Sequence, residues 1–209
     1  MQFEDLGLIP PILRALNDQN YKSPTTIQEK SIPLILKGED ILGNAQTGTG
    51  KTAAFAVPII QHLVGEGHNP NGKRTISSLV ITPTRELAIQ IGESFTAYAK
   101  YTHVKNTVIF GGVSQGAQTN ALKRGVDVLI ATPGRLLDLM DQGYVSLRDV
   151  EYFVLDEADR MLDMGFIPQV KRIVRATPRR EDRQTLLFSG TFTQDIINLS
   201  EQWTYEPIT

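Results

Sequence analysis

The chain has 209 residues, 41% of them hydrophobic, enough to bury one core and comfortable as a single domain spanning 1–209. Twenty-one Lys and Arg against 23 Asp and Glu leave a net charge of −2, which excludes a bulk positive field as the basis of nucleic-acid binding. Cysteine is absent, which excludes disulfides and thiolate metal sites, and no stretch reads as a signal peptide or an apolar span, so a cytoplasmic location and no membrane partner are expected. In chain order, a helix is predicted over 27–36, opened by Pro24-Thr25-Thr26-Ile27-Gln28, where Thr25 or Thr26 reads as an N-cap and Gln28 as an early-turn residue. A strand at 40–44 leads through Ala45-Gln46-Thr47-Gly48-Thr49-Gly50-Lys51-Thr52 into a helix over 51–64, and residues 65–73 read as a polar surface loop. Strands at 78–82, 106–110, 127–131, 152–156 and 185–189 then alternate with helices over 85–101, 114–124, 134–142, 166–176 and 194–203. That alternation predicts an α/β fold, a mostly parallel twisted sheet with helices on both faces.

Two runs carry phosphate chemistry. The first, 45–52, sits between a strand and a helix, as a phosphate loop requires. Gly48 and Gly50 let backbone N–H groups turn toward the β- and γ-phosphates, Lys51 supplies a point charge, and the Thr52 hydroxyl is a ligand for Mg2+. Ala45 stands where the usual expression has glycine, so a strict pattern search would miss the loop. The second run, Asp156-Glu157-Ala158-Asp159, follows the apolar strand at 152–156, and a carboxylate at such a strand end lies where ligands gather in parallel sheets. Asp156 reads as the Mg2+ carboxylate, acting through water, and Glu157 as the residue that orients or deprotonates an attacking water. Elsewhere, Pro83-Thr84-Arg85-Glu86-Leu87-Ala88 and Thr132-Pro133-Gly134-Arg135 each follow a strand and open a helix. Each offers backbone N–H groups and an arginine to a phosphate, and each is equally readable as ordinary capping. Gly111-Gly112 reads as a turn.

Taken in order, these motifs resemble the N-terminal RecA-like domain of DEAD-box RNA helicases across essentially the whole chain: Phe3 with Pro-Thr-x-Ile-Gln, the phosphate loop, 83–88, Gly111-Gly112, 132–135, the literal Asp-Glu-Ala-Asp, and Ser189-Gly190-Thr191. The run 160–166 looks like bacterial RhlE-type members. The resemblance implies roles position by position. Phe3 would stack on adenine, Gln28 would pair with the adenine edge and select ATP over GTP, and Tyr21 and Lys22 would flank the base. Gln46, Thr47, Gly48, Thr49, Gly50, Lys51 and Thr52 would hold the phosphates. Arg85, Gly112, Thr132, Pro133, Gly134 and Arg135 would bind the backbone of single-stranded or duplex RNA without reading sequence. Asp159 would accept hydrogen bonds from Ser189 and Thr191, coupling the two sites.

Two residues depart from the family pattern: Asn20, where glycine is usual, tolerates left-handed geometry, and Gly190, where alanine is usual, is expected to alter coupling rather than nucleotide binding. The resemblance also implies a second RecA-like domain carrying arginine fingers, each worth roughly 10³–10⁵ in rate, so hydrolysis by these 209 residues alone is expected to be close to nil. Another phosphate-loop ATPase such as a DNA translocase, or a nucleotide-gated RNA clamp, are the alternative readings. His62, His68 and His103 lack metal-ligand spacing. Arg179, Arg180 and Arg183 read as a solvated loop, and Phe188, Trp203, Met161 and Met164 as packing residues.

Overall fold

A computed structural model describes residues 1–46, 50–66 and 74–209. Six short strands, β1 (Ile41–Asn44), β2 (Ser78–Ile81), β3 (Asn106–Ile109), β4 (Val128–Ala131), β5 (Tyr152–Leu155) and β6 (Gln184–Ser189), pair in the order β1-β6-β5-β2-β4-β3, every pairing parallel. Side chains alternate across a strand, and here both faces are covered, so the central strands β2, β4 and β6 are buried at every position and mostly apolar, rather than apolar at every second one. In β2, Val80 joins one core with Val128, Ile130 and Val154, while Leu79 and Ile81 join the other with Leu129, Phe153 and Leu155.

The first face carries α1 (Pro10–Asp18), α2 (Thr26–Leu36), α3 (Lys51–Gly65) and α4 (Arg85–Tyr98), packed through Phe55, Phe95 and Phe188. α3 runs through the middle of that layer and buries almost its whole first half, which is why Ala53, Ala54 and Ala56 stand where larger side chains would collide with the sheet. α5 (Gly116–Arg124) lies beside the edge strand β3. The opposite face carries α6 (Pro133–Asp141), α7 (Ala158–Asp163), α8 (Ile167–Arg175) and α9 (Gln194–Trp203). No helix among the described residues is long and apolar enough to cross a membrane.

All six strands lie within one residue of the sequence expectation. The sequence reading omitted α1, α7 and the short 3-10 turns at Phe3–Leu6 and Arg180–Asp182. It carried the fourth helix three residues too far, where Ala99 caps it at Tyr98. Ile208 adds a parallel bridge to Ile41 at the sheet edge. The 179–183 basic run is corrected in part: Arg179 is exposed, but Arg183 is buried, its guanidinium donating to Thr177 Oγ1, Thr185 Oγ1 and the carbonyls of Pro178 and Trp203, with its face over the Phe153 ring. Trp203, Phe188 and Met161 are core residues, whereas Met164 is 48% exposed and does not pack.

Candidate functional site

The strand order puts the C-terminal end of β6 between those of β1 and β5, and the polar residues gather there. Asp156 continues the β5 ladder, its N–H donating to the Ile81 carbonyl at 2.8 Å, so its side chain is delivered directly off the sheet. It is 1% exposed. Its Oδ2 accepts from the Thr82 hydroxyl at 3.1 Å, and Oδ1 lies 2.9 Å from Lys51 Nζ, in contact but without hydrogen-bond alignment. Burial pushes the Asp156 carboxyl up, against the opposing pull of Lys51. Lys51, itself 5% exposed, also stands 3.4 Å from Glu157 Oε2, and Arg160 donates to Glu157 Oε1 at 3.3 Å. Glu157 holds a left-handed backbone (φ 55°, ψ 54°), an unfavourable torsion for a residue with a β-carbon, which turns the chain sharply from β5 into α7.

A buried ammonium between two carboxylates is poised to exchange one anion for another, since a phosphate oxygen offers the same charge-assisted contact. The donor set also suits Mg2+: a buried carboxylate oxygen without a hydrogen-bond donor, and Thr52 next in chain to Lys51. Among the described residues no three His, Asp or Glu side chains converge as a metal cage. Thr47, Gly48 and Thr49 lie outside the described residues.

At the start of α2, Thr25 caps the helix and Gln28 closes the capping box, its Oε1 accepting from Thr25 N at 3.0 Å. The same amide donates from Nε2 to the Gly50 carbonyl at 3.0 Å, tying α2 to the residue that precedes Lys51. Gly50 must be glycine: its φ is +82°, and a β-carbon would stand 2.6 Å from Gln28 Nε2. The bonds to Thr25 and Gly50 use one N–H and one lone pair of the Gln28 amide. Phe3 is not an open platform; it is 3% exposed in the core, with Tyr21 stacked on it at a centroid distance of 6.3 Å. Tyr21 is exposed and anchored by its hydroxyl to that of Tyr98 at 2.8 Å. Lys22 is exposed, and Asn20 adopts the left-handed conformation (φ 61°) that its amide side chain tolerates.

The coupling residues meet with one change of partner. Thr191 Oγ1 donates to Asp159 Oδ2 at 3.4 Å, but the Ser189 hydroxyl donates to the Thr191 carbonyl at 2.7 Å instead of to Asp159. A β-carbon at Gly190 would lie 3.2 Å from Asp159 Oδ2 and 3.4 Å from Gln46 Cγ, so the missing methyl lets the phosphate-loop glutamine and Asp159 approach each other.

The arginine motifs occupy the ends of β2, β4 and β3, the other half of the same rim. Thr84 caps α4, accepting from Leu87 N at 3.3 Å, and leaves Arg85 exposed with its guanidinium 5.0 Å from the Phe110 ring centroid. Thr132, at the start of α6, makes no side-chain cap bond, Pro133 occupies the first turn and Gly134 is exposed with open space around it. Ordinary capping therefore explains Thr84 and leaves the Thr132 hydroxyl available. Gly112 is exposed in a left-handed turn (φ +83°), and Arg135 donates to the Val113 carbonyl at 2.7 Å and to Gln118 Oε1 at 3.1 Å. Thr82, Phe110 and Gln118 are contacts that sequence reasoning missed. Thr82 ends a strand beside Pro83, a position that could have flagged it. His62 is structural, its Nε2–H donating to the Leu36 carbonyl at 3.2 Å with its ring against Tyr152, and His68 lies outside the described residues.

Residues 25–199 match the family model described as DEAD/DEAH box helicase. The chain is 48% identical over 210 residues to the ATP-dependent RNA helicase RhlB of Pseudomonas syringae pv. tomato, covering 99% of this chain and 52% of that protein. It is 44% identical to the ATP-dependent RNA helicase CshA of Limosilactobacillus reuteri, covering 100% of this chain and 40% of that protein. A crystal structure of a DEAD box protein from the hyperthermophile Methanococcus jannaschii superposes with a TM-score of 0.89 at 39% identity, over 100% of this chain and 55% of that one. The chain thus spans about half the length of these relatives, and on the motif order, the fold and the family match together it belongs to the DEAD/DEAH box helicase family.

Proposed function

We propose that this chain is the N-terminal RecA-like half of an ATP-dependent RNA helicase. It takes ATP with Mg2+ at the ends of β1, β6 and β5, and the sugar-phosphate backbone of single-stranded RNA, or of one strand of a duplex, at the ends of β2, β4 and β3. The observation that carries this reading is Lys51, buried 2.9 Å from Asp156 beside a sequence built to cradle phosphates. Lys51 exchanges its carboxylate neighbours for phosphate oxygens, and the spare donor and acceptor of Gln28 meet the adenine edge. Thr52 and Asp156 would hold Mg2+, which neutralises phosphate charge when bound. Glu157 orients the attacking water or takes its proton. Asp159, Thr191 and Ser189 relay between the two halves of the rim.

A second RecA-like domain supplies the arginine fingers and the rest of the RNA track, so these residues bind nucleotide and hydrolyse almost none, while the whole protein couples hydrolysis to duplex separation in the cytoplasm. The finer RhlE-type assignment rests on the 160–166 run, and a phylogeny that groups the chain with RhlB proteins overturns it. Titration calorimetry with ADP and Mg2+ tests the nucleotide reading: heat is expected from the parent and none from Lys51→Met, and silence from the folded parent refutes it. The RNA reading predicts that RNA, but not DNA of the same sequence, stimulates ATP hydrolysis in the two-domain protein.

A further inference from the structure

The RNA-facing half of the rim contains a buried polar side chain to which the proposed function assigns no role. Gln118 projects from α5, is 8% exposed, and uses both ends of its amide: Nε2 donates to the Phe110 carbonyl at 3.0 Å, and Oε1 accepts from Arg135 at 3.1 Å. Phe110 closes β3, its ring lies under the guanidinium of Arg85, and its carbonyl begins the exposed Gly111-Gly112 turn. Arg135 stands at the start of α6. One amide therefore joins the segment beneath one arginine to the guanidinium of the other.

We propose that Gln118 is a positioning residue for RNA binding, fixing Arg135 and the Phe110-Gly111-Gly112 segment in one arrangement before RNA arrives. The inference rests on the RNA-binding reading of Arg85 and Arg135. Glutamine suits the position because its amide donates and accepts from two separate atoms at the end of one long side chain without adding charge, and burial makes either unmade bond costly. The Val113 carbonyl and Gln118 Oε1 together engage two N–H groups of Arg135, which sets the guanidinium plane and leaves its other N–H groups for a phosphate. The ring of Phe110 restricts Arg85 similarly, so ordering that would otherwise accompany binding is already present in the free protein.

The test is a double-mutant cycle on this chain, read by anisotropy of a fluorescently labelled single-stranded oligouridylate, with the thermal transition of each variant as the fold control. Gln118→Met keeps the length and volume of the side chain and removes both bonds; RNA affinity is expected to fall about fivefold to tenfold. Arg135→Ala falls at least as far, and the Gln118→Met/Arg135→Ala double variant loses less than the two single losses combined, because the glutamine acts in part through the arginine. Additive losses, or parental affinity in Gln118→Met, overturn the positioning role while leaving the RNA reading intact. Parental affinity in both Arg135→Ala and Arg85→Ala refutes the RNA reading itself. Should Gln118→Met unfold, Gln118→Glu carries the test: its carboxylate neutralises Arg135, so affinity drops and the salt slope shrinks by about one. An unchanged affinity and slope in that variant overturn the inference.

Discussion

The two halves of the sheet's rim are built on opposite electrostatic terms. At β1, β6 and β5 the charges are buried and already paired with each other: Lys51 touches Asp156 and stands close to Glu157 in a region almost closed to water. At β2, β4 and β3 the cations are at the surface, held by an aromatic ring, a carbonyl and an amide rather than by carboxylates. A buried pair is costly to break and selective in what replaces it, whereas an exposed arginine over neutral partners meets any phosphate at little desolvation cost. The first arrangement suits one particular anion and the second a repeating polyanion.

Lys51→Met should break the comparison most severely. Among the described residues it strips Asp156 of the one cation in contact with it, and ADP affinity is expected to fall by roughly 100-fold or more if Lys51 makes two charge-assisted hydrogen bonds to the nucleotide, each worth about 1.5–3 kcal/mol. Calorimetry reads this directly, and parental ADP affinity would place the nucleotide elsewhere. Arg135→Ala is the matching change on the exposed half: RNA affinity drops by roughly tenfold, the salt slope falls by about one, and ADP affinity stays put. A parallel loss of ADP binding would mean that the halves are not separable.

Gly190→Ala sharpens the boundary between them. Its β-carbon would press on Asp159 at 3.2 Å, a small strain offset by about 0.4–1 kcal/mol gained from a stiffer unfolded chain, so the melting temperature should hardly move. The informative readout is RNA-stimulated ATP hydrolysis in the two-domain protein, where identical stimulation would show that Asp159 and Thr191 do not communicate through this position. The smallest effect is expected from Glu151→Gln. Glu151 precedes β5 as Asp156 follows it, and it too has a carboxylate neighbour, Glu66. Burial, then the Glu66 hydrogen bond, raise its pKa to about 7. The folded state therefore holds a proton that the unfolded state releases, and stability is lost as pH rises from the ordinary carboxylate range through about 7. Replacing Glu151 with glutamine should flatten that slope in thermal melts, and an unchanged slope would assign it to another group.

Much of this organisation was legible in the sequence because strands covered on both faces are unbroken apolar runs, such as Leu79-Val80-Ile81 and Val128–Ala131, with chemistry at their ends. The phosphate and acidic runs were readable for the same reason. What stayed hidden depends on partners distant in sequence. Arg183 looks solvated until the carbonyl of Trp203 and the ring of Phe153 surround it, and Phe3 looks like an open aromatic until Tyr21 covers it. The Ser189 hydroxyl lies close enough to Thr191 to be satisfied by its backbone, a local alternative to Asp159 that motif order cannot weigh. α1 was hidden by its paired prolines, which open the helix rather than break it.

The left-handed torsion at Glu157 narrows what evolution can do with this position. Glycine would relieve the backbone but delete the carboxylate, and asparagine would sit comfortably while removing the negative charge. The side chain and its awkward hinge are inherited together, so drift toward greater thermal robustness here leads away from the carboxylate that the proposed function requires.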